Sequence, residues 1–118
     1  MASPENAERR PADFVVVLVT APEGEVASRI ANTLVAESLV ACVNILPGLR
    51  SIYRWEGKVC DESEVLCFMK TRLELFPRLR ERIAELHPYQ VPEIIALPLA
   101  AGSAPYLNWV FQSTAASH

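Results

Sequence analysis

Histidine is nearly missing from this chain: there are two, His87 and His118, and the second is the last of its 118 residues. One imidazole in the body of the chain excludes a tight tetrahedral centre made from the histidines of a single copy. Cysteine is scarce as well. Cys42, Cys60 and Cys67 form an odd set without paired spacing, a poor disulfide framework. Cys42 and Cys67 sit in apolar runs and read as small buried hydrophobes. Cys60, within "KVCDESE", reads as more exposed and has no activating base beside it. No glycine-rich loop of the GxGxxG or Walker type is present to cradle a phosphate. No basic cluster stands out, and the formal charge is only −3 with both signs mixed, so a nucleic-acid partner is not expected. No apolar run approaches the roughly 18–20 residues of a membrane span. The start, "MASPENAERRPAD", has no apolar core of the signal-peptide kind. The expectation is a cytoplasmic protein without a membrane partner.

What the chain does have is a core: 51% of its residues are hydrophobic, enough for one domain. Residues 1–12, with two prolines and several charges, read as a flexible tail, and 13–118 as a single domain. "FVVVLVTAP" is a β-branched run of a strand buried on both faces, central in a sheet. In "EGEVASRIANTLVAESLV", Ala27, Ile30, Ala31 and Leu34 make one helical stripe. "ACVNIL" and "LRSIYRWEGKV" are extended, with Pro47-Gly48 between them as a bulge, and "ESEVLCFMKTR" is a third strand. "LELFPRLRERIAELH" is a second helix. Phe76, Leu79, Ile83 and Leu86 lie on its apolar face, and Arg78, Glu81, Arg82 and Glu85 on a solvated one. "EIIALPLA" is a fourth strand, placed at an edge by Pro98. "GSAPYLNWVFQSTA" is a closing helix, with Ser103 as N-cap and Pro105 in its first turn. The order β-α-β-β-α-β plus a C-terminal helix is the α+β, ferredoxin-like split βαβ pattern.

The second and third strands are too long for a lone domain. Segments 41–56 and 58–72, at roughly 3.3 Å per residue, would approach 50 Å. A chain of this length has a radius of gyration of about 13–14 Å. The overhanging ribbon carries Ile52, Tyr53, Trp55 and Val59, apolar side chains that need cover. Further copies in a closed ring supply that cover. A kinked hairpin folding back on its own chain is the alternative.

Two constellations carry candidate chemistry. "LHPYQVPEIIALPL" places His87, Tyr89, Gln90 and Glu93 between a helix and a strand. His87 suits two roles: capping the last carbonyls of its helix, or ligating a metal with Glu93 or Glu64 from the same or a neighbouring copy. The second constellation comprises Trp55, Glu64, Lys70, Tyr89, Tyr106 and Trp109. Glu64, Leu66, Phe68 and Lys70 share a strand face by alternation. Charges beside such apolar neighbours need partners or a wet cleft. The aromatics read first as interface packing and second as ligand contacts; Lys70 is the candidate ligand contact. Catalysis is not expected: the loop after the first strand, "TAPEGE", has two carboxylates and no arginine, so it does not cradle an anion.

"VVVLVTAPE", "AESLVACVNILPGLRSIYRWEGKV", "EVLCFMKT", "LHPYQVPEIIALPL" and "YLNWV", in this order and spacing, resemble the CutA-type divalent-cation tolerance proteins from Phe14 to Gln112. That resemblance implies a homotrimer of ferredoxin-like subunits, similar in architecture to PII signalling proteins, whose long hairpins embrace their neighbours. It implies a role in tolerance of copper and other divalent cations, with Cu(II) or another divalent cation as a possible ligand and no obligatory cofactor. In the family's copper-associated pattern a first-strand Cys and a His-His pair precede "PYQ". Here Val19 and Leu86 replace two of these, and His87 matches the third. The expectation is weak metal binding through His87. The alternative is a PII-like regulatory module that binds a small anionic ligand or a protein partner in a cleft between subunits.

Overall fold

The structure is a computed structural model that describes residues 9–115. Most of the expected tail, and His118, lie outside the described residues. Four strands and three helices alternate along the chain: β1 (Phe14–Pro22), α1 (Val26–Ala36), β2 (Cys42–Trp55), β3 (Lys58–Arg72), α2 (Phe76–Leu86), β4 (Ile95–Pro98) and α3 (Ala104–Thr114). The sheet is antiparallel with order β2-β3-β1-β4, the ferredoxin-like arrangement. No helix among the described residues is long and apolar enough to cross a membrane.

Alternation divides the sheet into two faces. Val15, Val17, Val19 and Ala21 of β1, with Val65, Cys67 and Met69 of β3, pack under Ile30 and Leu34 of α1 and Leu79 and Ile83 of α2. Burying each valine, leucine, isoleucine and methionine side chain among them contributes about 1.5–3 kcal/mol. The other face differs from the expectation for a central strand. There Val16, Leu18, Leu66 and Phe68 are only half-buried, and Leu46, Ile95 and Leu97 are 53%, 47% and 49% exposed. α3 covers one end of the sheet alone, where Leu107 and Val110 pack with Phe14 and Ala41. Arg72 holds α3 there: its guanidinium donates to the Oγ1 and the carbonyl of Thr114, both at 2.9 Å. A cation on the terminal carbonyl suits the negative end of the helix dipole. Arg72 and Arg9 both lie over the Phe111 ring, at 4.9 and 3.7 Å from its centroid.

Several boundaries move, each for a local reason. α1 stops at Ala36 because Ser38 turns left-handed (φ 60°). The N–H groups of Ser38 and Leu39 then bond the carbonyls of Val35 and Leu34, a helix-ending motif that turns Leu39 into the core. Ser103 occupies the N-cap of α3, but its hydroxyl makes no capping bond. Arg82 is not on a purely solvated face. It grips Glu37, beyond the end of α1, through two 2.8 Å bonds that tie the two helices and hold the Glu37 carboxyl below its ordinary range. Cys42 is half-buried rather than buried, whereas Cys67 is buried, which pushes its thiol pKa up.

The hairpin is as long as its sequence implies. The molecule measures 58 × 29 × 22 Å with a radius of gyration of 15.6 Å. Pro47-Gly48 is the bulge: pairing slips between Leu46 and Leu49, and Gly48 has φ 84°. At the tip, Glu56 (φ 50°) and Gly57 (φ 79°) form the two-residue turn between Trp55 and Lys58. Two positive φ angles are the type I′ requirement, which Asn-Gly satisfies best. Glu56→Asn should therefore raise stability by up to about 1 kcal/mol. Urea denaturation at fixed protein concentration measures it; a variant no more stable than the parent refutes this geometry for the tip.

Candidate functional site

Two sequence features meet at Glu64. β1 runs out there, since its last pair is Pro22 with Glu64. The β2 bulge sits there too, since Leu49 is the first residue to resume pairing, opposite Glu64. Beyond this point β3 pairs with β2 alone and leaves the body of the sheet. The chain between α2 and β4 fills the crook. Pro88 cannot continue the helix, and His87 is already extended (φ −87°, ψ 137°).

His87 locks this segment in place. It is buried, and both ring nitrogens are used: Nε2–H donates to the Thr20 carbonyl at 2.8 Å, and Nδ1 accepts the Tyr89 N–H at 3.1 Å. The ring therefore bonds across to β1 and not to the last carbonyls of its own helix, as a capping role requires. The Tyr89 ring lies against it, centroids 4.6 Å apart, and its hydroxyl donates to Glu64 Oε2 at 2.7 Å. Glu64 is only 5% exposed, so this bond offsets part of the cost of burying a carboxylate. Burial first, and then the Glu64 bond and charge, push the Tyr89 phenol pKa well up.

Outside this wall lies a cavity of about 700 Å³. Trp55, Glu64, Tyr89, Gln90 and Glu93 line it, so five of the residues singled out for candidate chemistry in the sequence meet. Tyr53 and Arg50 join them from the hairpin. Tyr53 donates to Glu62, and that bond, with smaller contributions from burial and nearby carboxylates, pushes its phenol up to about 12. Arg50 is gripped by Asp61, Nε at 2.8 Å and Nη2 at 2.6 Å, which raises the guanidinium pKa and lowers that of the carboxyl. These hairpin pairs were missed from the sequence, although a signal was available. Read as a two-residue turn, Glu56-Gly57 fixes the register from the tip to the bulge and sets Tyr53 diagonal to Glu62 and Arg50 diagonal to Asp61.

The remaining candidates lie elsewhere. Lys70 shares the Glu64 strand face but sits roughly 20 Å further along β3, its ammonium on the carboxamide of Asn44. Tyr106 and Trp109 stack on α3 with centroids 5.5 Å apart, and neither lines the cavity. His87 stands behind the cavity wall. No group of three His, Cys, Asp or Glu gathers among the described residues. Within one chain the donor set does not fit a tightly held resident ion, because the one buried imidazole has both nitrogens occupied.

Residues 15–113 match the sequence profile of the CutA1 divalent ion tolerance protein family. The divalent-cation tolerance protein CutA of Thermus thermophilus is 56% identical over 99 residues, 84% of this chain and 96% of that protein. A solved structure of the divalent cation tolerance protein (Cut A1) from the same organism superposes with a TM-score of 0.83 at 54% identity, across 86% of this chain and 98% of that one. The chloroplastic Protein CutA of Arabidopsis thaliana is 50% identical over 85% of this chain, which spans only 55% of that plant protein's length.

The tyrosine–carboxylate pairs give a pH signature. The native state holds a phenol proton that the unfolded chain releases near the ordinary value of 10.0. Stability from the Tyr53 bond is thus complete below pH 10 and is lost as pH rises towards about 12. An alkaline absorbance titration at a tyrosinate band should show late ionisation. Glu62→Ala should return one tyrosine towards the ordinary value; an unchanged titration curve in that variant contradicts the pairing.

Proposed function

The chain belongs to the CutA1 divalent ion tolerance family, and from that premise we propose that it serves divalent-cation tolerance as a non-catalytic homotrimer. One observation carries the assembly: a sheet whose second face is apolar and half-open, continuous with a hairpin that overhangs its own body. Leu46, Ile95 and Leu97 on that face, and Ile52, Trp55 and Val59 on the ribbon, are all exposed in a single chain. Exposed apolar surface of this extent calls for a partner, and identical copies closing a ring leave no naked sheet edge. Three is the copy number the family resemblance implies. Three cysteines with no disulfide among the described residues accord with a reducing, cytosolic setting.

The metal contact we assign to His87, with Glu93 as a further oxygen donor, and it is weak and exchangeable. A metal ion must displace either the Tyr89 N–H from Nδ1 or the Thr20 carbonyl from Nε2–H, and each exchange gives up a hydrogen bond. Copper is the ion of first choice, because imidazole suits it and it heads the divalent affinity order.

A second reading has its own support. A cavity of about 700 Å³ with aromatic and charged walls falls within the range of small-molecule sites. It suits a regulatory module that binds a small ligand where subunits meet.

Sedimentation at micromolar concentration should give about three times the 13.1 kDa chain mass; a clean monomer overturns the assembly. Trp55→Ala should weaken association by about 2–4 kcal/mol while leaving far-ultraviolet dichroism native. If the variant remains trimeric at nanomolar concentration, Trp55 is not an anchor.

Calorimetric titration with Cu(II) and Zn(II) should show weak binding that His87→Ala abolishes. Tight binding, or binding that survives the substitution, moves the metal away from His87.

A further inference from the structure

We propose that the cavity beside Glu64 takes a small organic cation, an ammonium or guanidinium group on an apolar body, and not an anion. The inference rests on the reading of that cavity as a ligand site and supplies the ligand's chemistry. Charge comes first. Among the described residues Arg50 is the only cation lining the cavity, and both its Nε and its Nη2 are committed to Asp61. The carboxylates of Glu64 and Glu93 are left to set the sign. An entering phosphate or carboxylate meets two like charges and a guanidinium already engaged by a carboxylate. An entering cation meets two opposite charges in a partly desolvated space, where Coulomb attraction exceeds its value in water.

The walls point the same way. Tyr53, Trp55 and Tyr89 present three aromatic rings to one cavity. Ring faces attract cations through their quadrupole, and an aromatic cage with a carboxylate is a recurrent way of holding organic ammonium groups. Both phenols donate their O–H to carboxylates, Tyr53 to Glu62 and Tyr89 to Glu64. Donation to an anion pushes electron density into the ring and strengthens its hold on a cation. Ile52 and Val91 supply apolar surface for the ligand's body. A bare divalent ion fits less well, because it needs several converging oxygens or nitrogens, and no group of three His, Cys, Asp or Glu converges among the described residues.

Ammonium chemistry has two sources: a free amine, or a lysine or arginine side chain of a second copy. The test uses the full chain and two probes of matched shape, benzylammonium chloride and sodium benzoate, at equal ionic strength. Binding is read by calorimetry and by Trp55 fluorescence in a Trp109→Phe background. Benzylammonium should bind and benzoate should not. Glu64→Gln, whose amide oxygen still accepts the Tyr89 hydroxyl, and Glu93→Gln at an exposed position should each weaken benzylammonium, and the double variant should do so at least about ten-fold. If Glu64→Gln fails to fold, Glu93→Gln alone decides. Tighter benzylammonium binding in Lys58→Ala or Arg54→Ala assigns the natural cation to a neighbouring copy's hairpin; unchanged binding assigns it to a free amine. Benzoate bound in preference to benzylammonium overturns the cation and keeps the cavity as a ligand site. Neither probe bound overturns both. Benzylammonium binding indifferent to Glu64→Gln and Glu93→Gln places the probe elsewhere and overturns the inference.

Discussion

β1 is shorter than the strand it pairs with, and everything distinctive in this fold follows from that mismatch. β3 has fifteen residues, and β1 accompanies it only from Arg72 to Glu64. Past Glu64 the ribbon loses one neighbour and must bend or stay straight without support. The Pro47-Gly48 bulge lies opposite this same point, so β2 changes its facing as β1 ends. The result is a sheet in the body, an arm beyond it, and a crook between them that the segment after α2 fills. His87 fixes that segment to β1, and Tyr89 fixes it to β3. The cavity is the space these restraints leave on the arm's side.

The same mismatch accounts for the exposed surface. In a monomer of this fold the second sheet face is free to be polar. Here it carries Val16, Leu18, Leu66 and Phe68, and Lys70 beside them on β3 is hydrogen-bonded to Asn44 within the sheet. A lysine ammonium hydrogen-bonded laterally to a carboxamide keeps to the sheet and leaves the neighbouring positions of the face apolar. In the proposed assembly, the sheet's open face and the arm's aromatic tip are the two surfaces that neighbouring copies would cover.

Much of this was legible in the sequence because the signals were local. A β-branched run announced a central strand, Pro98 an edge, Pro47-Gly48 a bulge, and strand length an overhang. The reading of β1 as buried on both faces went too far, because a continuous apolar run cannot distinguish cover by a helix from cover by another chain. What escaped was long-range. No spacing in the sequence joins His87 to the Thr20 carbonyl, or Arg82 to Glu37, since each pair spans two or more elements. The Tyr53–Glu62 and Arg50–Asp61 pairs were within reach, because a two-residue turn dictates the diagonals between the tip and the bulge. Within one chain Lys70 and Glu64 share a strand face without lying close together, since alternation alone does not bring residues together along a strand this long.

Glu64 then decides what the crook is for. A carboxylate offers about four acceptor positions, and the Tyr89 hydroxyl takes one of them. Were Glu64 only a structural post, a buried amide or an apolar residue of similar volume would serve as well, since a lone buried charge costs several kcal/mol before its bonds are counted. Its remaining positions are left to water and to whatever enters the cavity it lines. Tyr89 is held at both ends, by its N–H on His87 and by its hydroxyl on Glu64. Displacing the Tyr89 N–H from His87 therefore loosens the same residue that walls the cavity and steadies Glu64. The metal contact proposed at His87 Nδ1 and the ligand contact proposed at Glu64 would in this way be coupled through a single residue, Tyr89, with no need for the two sites to overlap.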